Sequence, residues 1–236
     1  MEIELKEKPK KGAIIIEGFP GFGLVSTIAT EYLIEHLDAK PIGRIKSEKI
    51  SPIIALHKGE VLEPLGVFYA QKANIIIVRG IAPIKDIEWE VTKTLIKFSK
   101  DIKAKEIISV EGISSDGKPP EPEAFYYSNA KNRAKKFETA GLKKLDEGVI
   151  VGVTAGMLTS YPELTCIFSE AYSNLPDSRA AAKTIEVLDQ YLNLKIDYKP
   201  LLKKAETFEK KIKGLLAQGM NVSKQADKKS PESYFG

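Results

Sequence analysis

The turn Glu17-Gly18-Phe19-Pro20-Gly21-Phe22-Gly23-Leu24-Val25 separates an isoleucine run from an amphipathic stretch, and it constrains the fold more than any other segment. Residues 13–16, Ala-Ile-Ile-Ile, form the short apolar run expected of a strand buried on both faces. Leu24, Ile28, Tyr32, Leu33, Ile34 and Leu37 then fall at spacings that place an apolar stripe on one helix face. Strand, glycine turn and helix together make the junction at which many α/β proteins bind ligands. N–H groups at such a helix start favour anions. The spacing, however, is Gly-x-x-Gly-x-Gly where the dinucleotide fingerprint is G-x-G-x-x-G, and no Gly-Lys-Ser/Thr follows. Pro20 removes a further donor. The turn therefore reads as a close helix–sheet contact, with Phe19 and Phe22 covering an edge or meeting a partner.

Beyond the turn, strands are expected over 41–46, 53–57, 66–71, 74–79, 106–110, 124–128, 148–154 and 164–171, each a short apolar or β-branched run between turn residues. Helices are expected over 86–98, with Asp86 as N-cap, over 131–137, and over 179–192, capped by Asp177 or Ser178. Residues 114–122 hold Asp116-Gly117 and three prolines and read as a loop. Strands alternating with helices predict one mostly parallel sheet covered on both faces, over a core domain of residues 1–197. Leu201, Ala205, Phe208, Ile212 and Leu215 alternate at four and three residues, so 198–217 reads as an amphipathic helix. It either packs on the domain or joins copies of the chain. Residues 218–236 are polar and read as a flexible tail that ends in Tyr234-Phe235-Gly236.

With 43% hydrophobic and 29% charged residues, 236 positions suffice for one large α/β domain with appendages. The net charge of +4 belongs to the end of the chain: residues 195–236 carry ten lysines against five acidic side chains. Those lysines lie on an expected helix and tail, mixed with glutamates, which favours a solvated face over a nucleic-acid surface. One cysteine, Cys166, forms no disulfide framework and fits a reducing cytoplasm. No apolar run reaches the roughly 18–20 residues a membrane span needs, and the charged start Met1-Glu2-Ile3-Glu4 does not read as a signal peptide. The expectation is a cytoplasmic protein with neither membrane nor nucleic-acid partners.

Candidates for chemistry are sparse. His36 falls near a helix end, where an imidazolium meets the negative end of the dipole. His57 has no Cys or His spaced to complete a metal cluster, and Cys166 lies in an apolar run as an inert thiol. No Gly-x-Ser-x-Gly elbow occurs. Glu111 and Asp116 lie near a strand end, where α/β sites occur, but a loop carboxylate pair is more often solvated than catalytic. No catalytic residue, cofactor or metal is assigned.

Five segments in order resemble the proteasome assembly chaperone family, most of all its archaeal members. They are Gly18-Phe19-Pro20-Gly21-Phe22-Gly23-Leu24-Val25, residues 84–89, Val110-Glu111-Gly112, Gly152-Val153-Thr154-Ala155-Gly156-Met157-Leu158, and Pro176-Asp177-x-Arg179-Ala180-Ala181, and the resemblance spans residues 12–195. It implies a three-layer α/β/α sandwich similar to nucleoside phosphorylases without their active site. It also implies a non-enzymatic homo-oligomer that binds proteasome α subunits, the core particle or a paralogous assembly factor. Family members often end in a hydrophobic–Tyr–any-residue motif that inserts between α subunits. Tyr234, Phe235 and Gly236 match it except for Phe at the middle position, which keeps the ring and loses the hydroxyl. Phe19, Phe22, Leu201, Phe208, Ile212 and Leu215 are the expected contacts between copies. The alternative is a nucleoside- or nucleotide-binding protein or enzyme of the same fold, with 18–23 and 111–116 lining its pocket.

Overall fold

The computed structural model describes residues 1–50, 54–57, 60–81, 84–114, 121–172 and 176–203. In chain order the elements are β1 (Glu2–Leu5), β2 (Ile14–Gly18), α1 (Val25–His36), β3 (Lys40–Lys46), β4 (Ala55–His57), β5 (Glu60–Leu62), β6 (Leu65–Ala70), β7 (Ile75–Gly80), α2 (Glu88–Asp101), β8 (Glu106–Ser114), β9 (Ala124–Ser128), α3 (Lys131–Thr139), β10 (Lys143–Lys144), α4 (Gly152–Ser160), β11 (Thr165–Ala171), α5 (Ser178–Leu192) and α6 (Lys199–Lys203). Nine strands form one sheet in the order β1-β3-β6-β7-β2-β8-β11-β9-β10, and β4 and β5 pair as a separate hairpin.

The sheet is mixed, which corrects the expectation of a mostly parallel one. Its centre, β7-β2-β8-β11, is parallel. On one side β1, β3, β6 and β7 pair antiparallel, and on the other β9 runs antiparallel to β11. The cause is loop length. Only residues 71–74 separate β6 from β7, too few for a crossover, so the pair closes as a hairpin with Asn74 left-handed at φ 52°.

Alternate residues of each central strand feed two cores. Ile16, Ile77, Ile108 and Ile167 pack with Val25, Ile28 and Leu33 of α1 and with Ala181, Ile185 and Leu188 of α5. Ile15, Val78, Ile107 and Cys166 face the other way, onto Val91 and Leu95 of α2 and Val153 and Met157 of α4. Helices thus cover both faces of the sheet. The α5 start follows the expected rule: Asp177 is the N-cap and accepts from the N–H groups of Arg179 and Ala180, both at 3.1 Å.

Two sequence expectations fail locally. Residues 148–154 do not form a strand; α4 begins at Gly152, whose φ of +73° turns the chain out of the extended Val151. Asp86 does not cap α2. It adopts φ 67°, and the helix starts at Glu88 after Ile87. Of the segment 198–217 expected to be a helix, the structure describes α6 (Lys199–Lys203), and residues 204–236, with the expected tail, lie outside the described residues.

Candidate functional site

The parallel strands β7, β2, β8 and β11 end on one side of the sheet, and the glycine turn crosses that end. Its glycines are spent on the chain's own contacts. A Cβ on Gly112 would stand 2.1 Å from the Phe22 carbonyl oxygen, and one on Gly21 would stand 2.0 Å from Glu111 Oε1. The space a phosphate would need against the turn is therefore filled by a carboxyl group. Further bonds pin the turn: Ser26 Oγ–H donates to the Phe19 carbonyl, and the Asp177 N–H donates to Gly23 O at 2.9 Å.

Behind the turn lies a polar chain on the α2/α4 face of the sheet. Glu17, Ser109 and Cys166 are neighbours in one row across β2, β8 and β11. Ser109 Oγ lies 2.8 Å from Thr154 Oγ1 of α4, and the Thr154 hydroxyl donates to Glu111 Oε2 at 3.0 Å. Glu17 is 1% exposed and its Oε1 has no partner among the described residues, whereas Glu111 is half-buried. Burial pushes the Glu17 carboxyl up to about 8, opposed by the Ser109 hydroxyl and reinforced by the Glu111 charge. Burial likewise lifts Glu111 to about 7, against hydrogen bonds from Thr154 and the Gly112 N–H. The Cys166 thiol is pushed well up by burial and then by both carboxylates, which makes it a poor nucleophile.

A second buried charge lies one strand over. Arg79 of β7 pairs with Glu31 of α1, and its guanidinium carbon stands 4.7 Å from the centre of the Phe68 ring. At the same end of the sheet, several apolar side chains face solvent. Trp89 in the first turn of α2 is 57% exposed, Val151 at the start of α4 71%, and Val149 90%, with Tyr172 just beyond β11 also exposed. α2 and α4 pack side by side, so Trp89 and Val151 mark neighbouring helix starts.

The residues singled out from the sequence distribute unevenly. Phe19 is buried, its ring against Gly80, and Phe22 is partly buried beside Gly112. Leu201 is buried in the α1/α5 core, away from the turn. Phe208, Ile212, Leu215, Tyr234, Phe235, Gly236 and Asp116 lie outside the described residues. His36 is the last residue of α1 and stacks on Tyr32 at 5.8 Å, and His57 ends β4. Among the described residues no group of three or more His, Cys, Asp or Glu is placed to hold a metal ion, and no helix is long and apolar enough to cross a membrane. Sequence reasoning passed over Glu17, Ser109 and Thr154 as site residues. The signal for Glu17 was legible: it is the one charge between an isoleucine run and the glycine turn.

Four of the five segments that carry the family resemblance meet here, through the Gly21–Glu111, Thr154–Glu111 and Gly23–Asp177 contacts. The chain is similar to known proteins over nearly its full length. A crystal structure of Pyrococcus furiosus PbaA, described as an archaeal homolog of proteasome-assembly chaperone, superposes with a TM-score of 0.84 at 29% identity, covering 94% of this chain and 99% of that one. Pyrococcus furiosus PbaB, described as an archaeal proteasome activator, superposes with a TM-score of 0.71 at 24% identity, covering 90% and 97%. An uncharacterized protein of Methanocaldococcus jannaschii, MJ0106, is 29% identical over 224 residues, 92% of this chain and 91% of that protein. The PAC2 family model matches residues 15–216, and the chain belongs to the PAC2 family.

Proposed function

We propose that this protein is a non-enzymatic, chaperone-like factor of proteasome assembly that acts in the cytoplasm as a homo-oligomer. The observation that carries the reading is the likeness to PbaA over nearly the full length of both chains. In this reading residues 1–197 are the folded body, 198–217 form a helix that contributes to self-association, and 218–236 tether an anchor at Tyr234, Phe235 and Gly236. The client is the proteasome α subunit or core particle, or a paralogous assembly factor. Exposed Trp89, Val149 and Val151 add apolar contact area at one end of the sheet. Several tails on one oligomer raise the effective concentration of each anchor, which offsets the weaker Phe at the middle position.

The test mixes the full-length protein with recombinant proteasome α subunits of the source organism and follows complexes by size exclusion with light scattering. The expected result is a self-associated species that co-elutes with α subunits and speeds their assembly into core particle. A monomer that leaves both binding and assembly unchanged overturns the proposal.

A further inference from the structure

We infer that the outer face of α4, flanked by a basic ridge on α2 and an acidic link from β10, is self-complementary and pairs with a second copy of this chain about a two-fold axis. This rests on the self-association proposed above and names a surface for it. From Val149 to Tyr161 no residue carries a charge, although the segment runs over the surface. Val149, Val151 and Thr159 are exposed, and Ala155, Leu158 and Tyr161 are half-buried. A surface helix that packs only on its own core turns a charged or strongly polar face outward, and α4 shows no charge there. Trp89 extends the apolar area at the start of the neighbouring helix.

The charges that flank α4 make the face complementary to itself. Strand order sets their sides. α2 reaches β1 at one edge of the sheet, and β10 is the other edge, so α4 stands between α2 and the 145–151 link that leaves β10. Along α2, Lys93, Lys97 and Lys100 follow Trp89 at spacings of four, four and three, and share its exposed face. Lys97 pairs with Asp101 of its own helix, whereas Lys93 and Lys100 have no ion-pair partner among the described residues. Asp146 and Glu147, exposed in the link, have none either. Thr92 of α2 abuts Gly156 of α4, and the two helices start side by side. The three lysines therefore lie level with the second half of α4 and beyond, while the two acids precede its start. Basic and acidic groups are diagonal across the middle of the helix. A two-fold axis through that middle, perpendicular to the sheet, carries each copy's acids onto the other's lysines at two symmetric places. The same rotation lays α4 antiparallel on its copy, with Val151 over Leu158 and Tyr161. Opposite charges at both places favour this partner and this register.

The experiment measures the mass of the full chain by light scattering at micromolar concentration, in the parent and in two charge reversals. One is Lys93→Glu with Lys97→Glu, the other Asp146→Lys with Glu147→Lys. All four side chains are exposed, and circular dichroism checks that both variants fold. Each reversal brings like charges together at both symmetric places, and self-association should weaken about tenfold or more. An equimolar mixture of the two should regain the parent's association, because each reversed ridge then meets a reversed link and each native ridge a native link. Val151→Asp should also dissociate the copies, and neither reversal should rescue it. Parent mass in both reversals, or variants that stay apart when mixed, overturns this face and leaves self-association to another surface. A monomeric parent overturns the face and the proposed homo-oligomer together. Reversals that keep the parent mass and lose only capture of proteasome α subunits assign the face to the client, which also overturns the pairing.

Discussion

Gly156 of α4 rests on the side chain of Thr92 in α2: a Cβ at residue 156 would stand 2.5 Å from Thr92 Oγ1. Thr92 is fully buried and its hydroxyl has no partner among the described residues, so it acts as a spacer between the helices. Gly156→Ala should cost about 1–3 kcal/mol by overpacking, although alanine would gain about 1 kcal/mol in an unobstructed helix. Adding Thr92→Ala should return most of that loss. Urea midpoints at constant slope measure both.

Arg79→Ala should be more damaging, because it removes the cation that pairs with buried Glu31 of α1. Loss of one partner of a buried pair costs about 3–5 kcal/mol. The double variant Arg79→Met, Glu31→Gln should recover part of it, since no charge then stays in the core. Equal losses in the single and double variants would place the energy in the packing of Arg79 on Phe68 instead.

Stability should fall as pH rises through the range set by the acid pair. Both folded-state values are raised, Glu17 to about 8 and Glu111 to about 7, above the ordinary 4.5. The folded chain therefore holds protons that the unfolded chain has released. The contribution is complete below about pH 4.5, declines from there, and is lost above about pH 8, with a slope of about 1.4 kcal/mol per pH unit for each retained proton. Glu17→Gln should flatten this decline by one proton's worth, which thermal or chemical denaturation across that range would read.

Phe235→Tyr should tighten docking on α subunits severalfold, by restoring a hydroxyl whose hydrogen bond is worth about 1 kcal/mol. Deleting Tyr234 to Gly236 should leave folding and self-association intact while weakening capture. Surface-immobilised α subunits distinguish the three proteins, and equal binding by all of them would reduce the tail to a solubilising end.

The elements with a strong local signature were readable. β7 announces itself by the β-branched run Ile75-Ile76-Ile77-Val78, and Asp177 before an alanine-rich amphipathic helix is a cap by composition alone. α4 was not readable, for a physical reason. Gly-Val-Thr-Ala-Gly-Met-Leu-Thr-Ser has no polar face and few strong helix formers, and its β-branched approach over 148–154 mimics a strand. What makes it a helix is burial of Val153 and Met157 against α2 and β8, which is tertiary information. The acid site was half visible for a similar reason. Glu111 stood out at a strand end, but the register that sets Glu17 beside Ser109 is fixed by the sheet and written nowhere in the local sequence.

The position of β11 has a consequence for how the chain is made. Among the described residues this strand is the last of the eleven to be synthesised, yet it sits inside the sheet, parallel to β8 on one side and antiparallel to β9 on the other. Until Thr165–Ala171 has left the ribosome, β8 presents an open edge and β9 with β10 has nothing to join. A nascent chain halted before residue 165 therefore leaves β8, held by β2 on one side, with its other edge open, the kind of edge that recruits other chains. Closure of the fold is set late, by one seven-residue segment, and any factor that shields emerging chains matters most in the interval before it arrives.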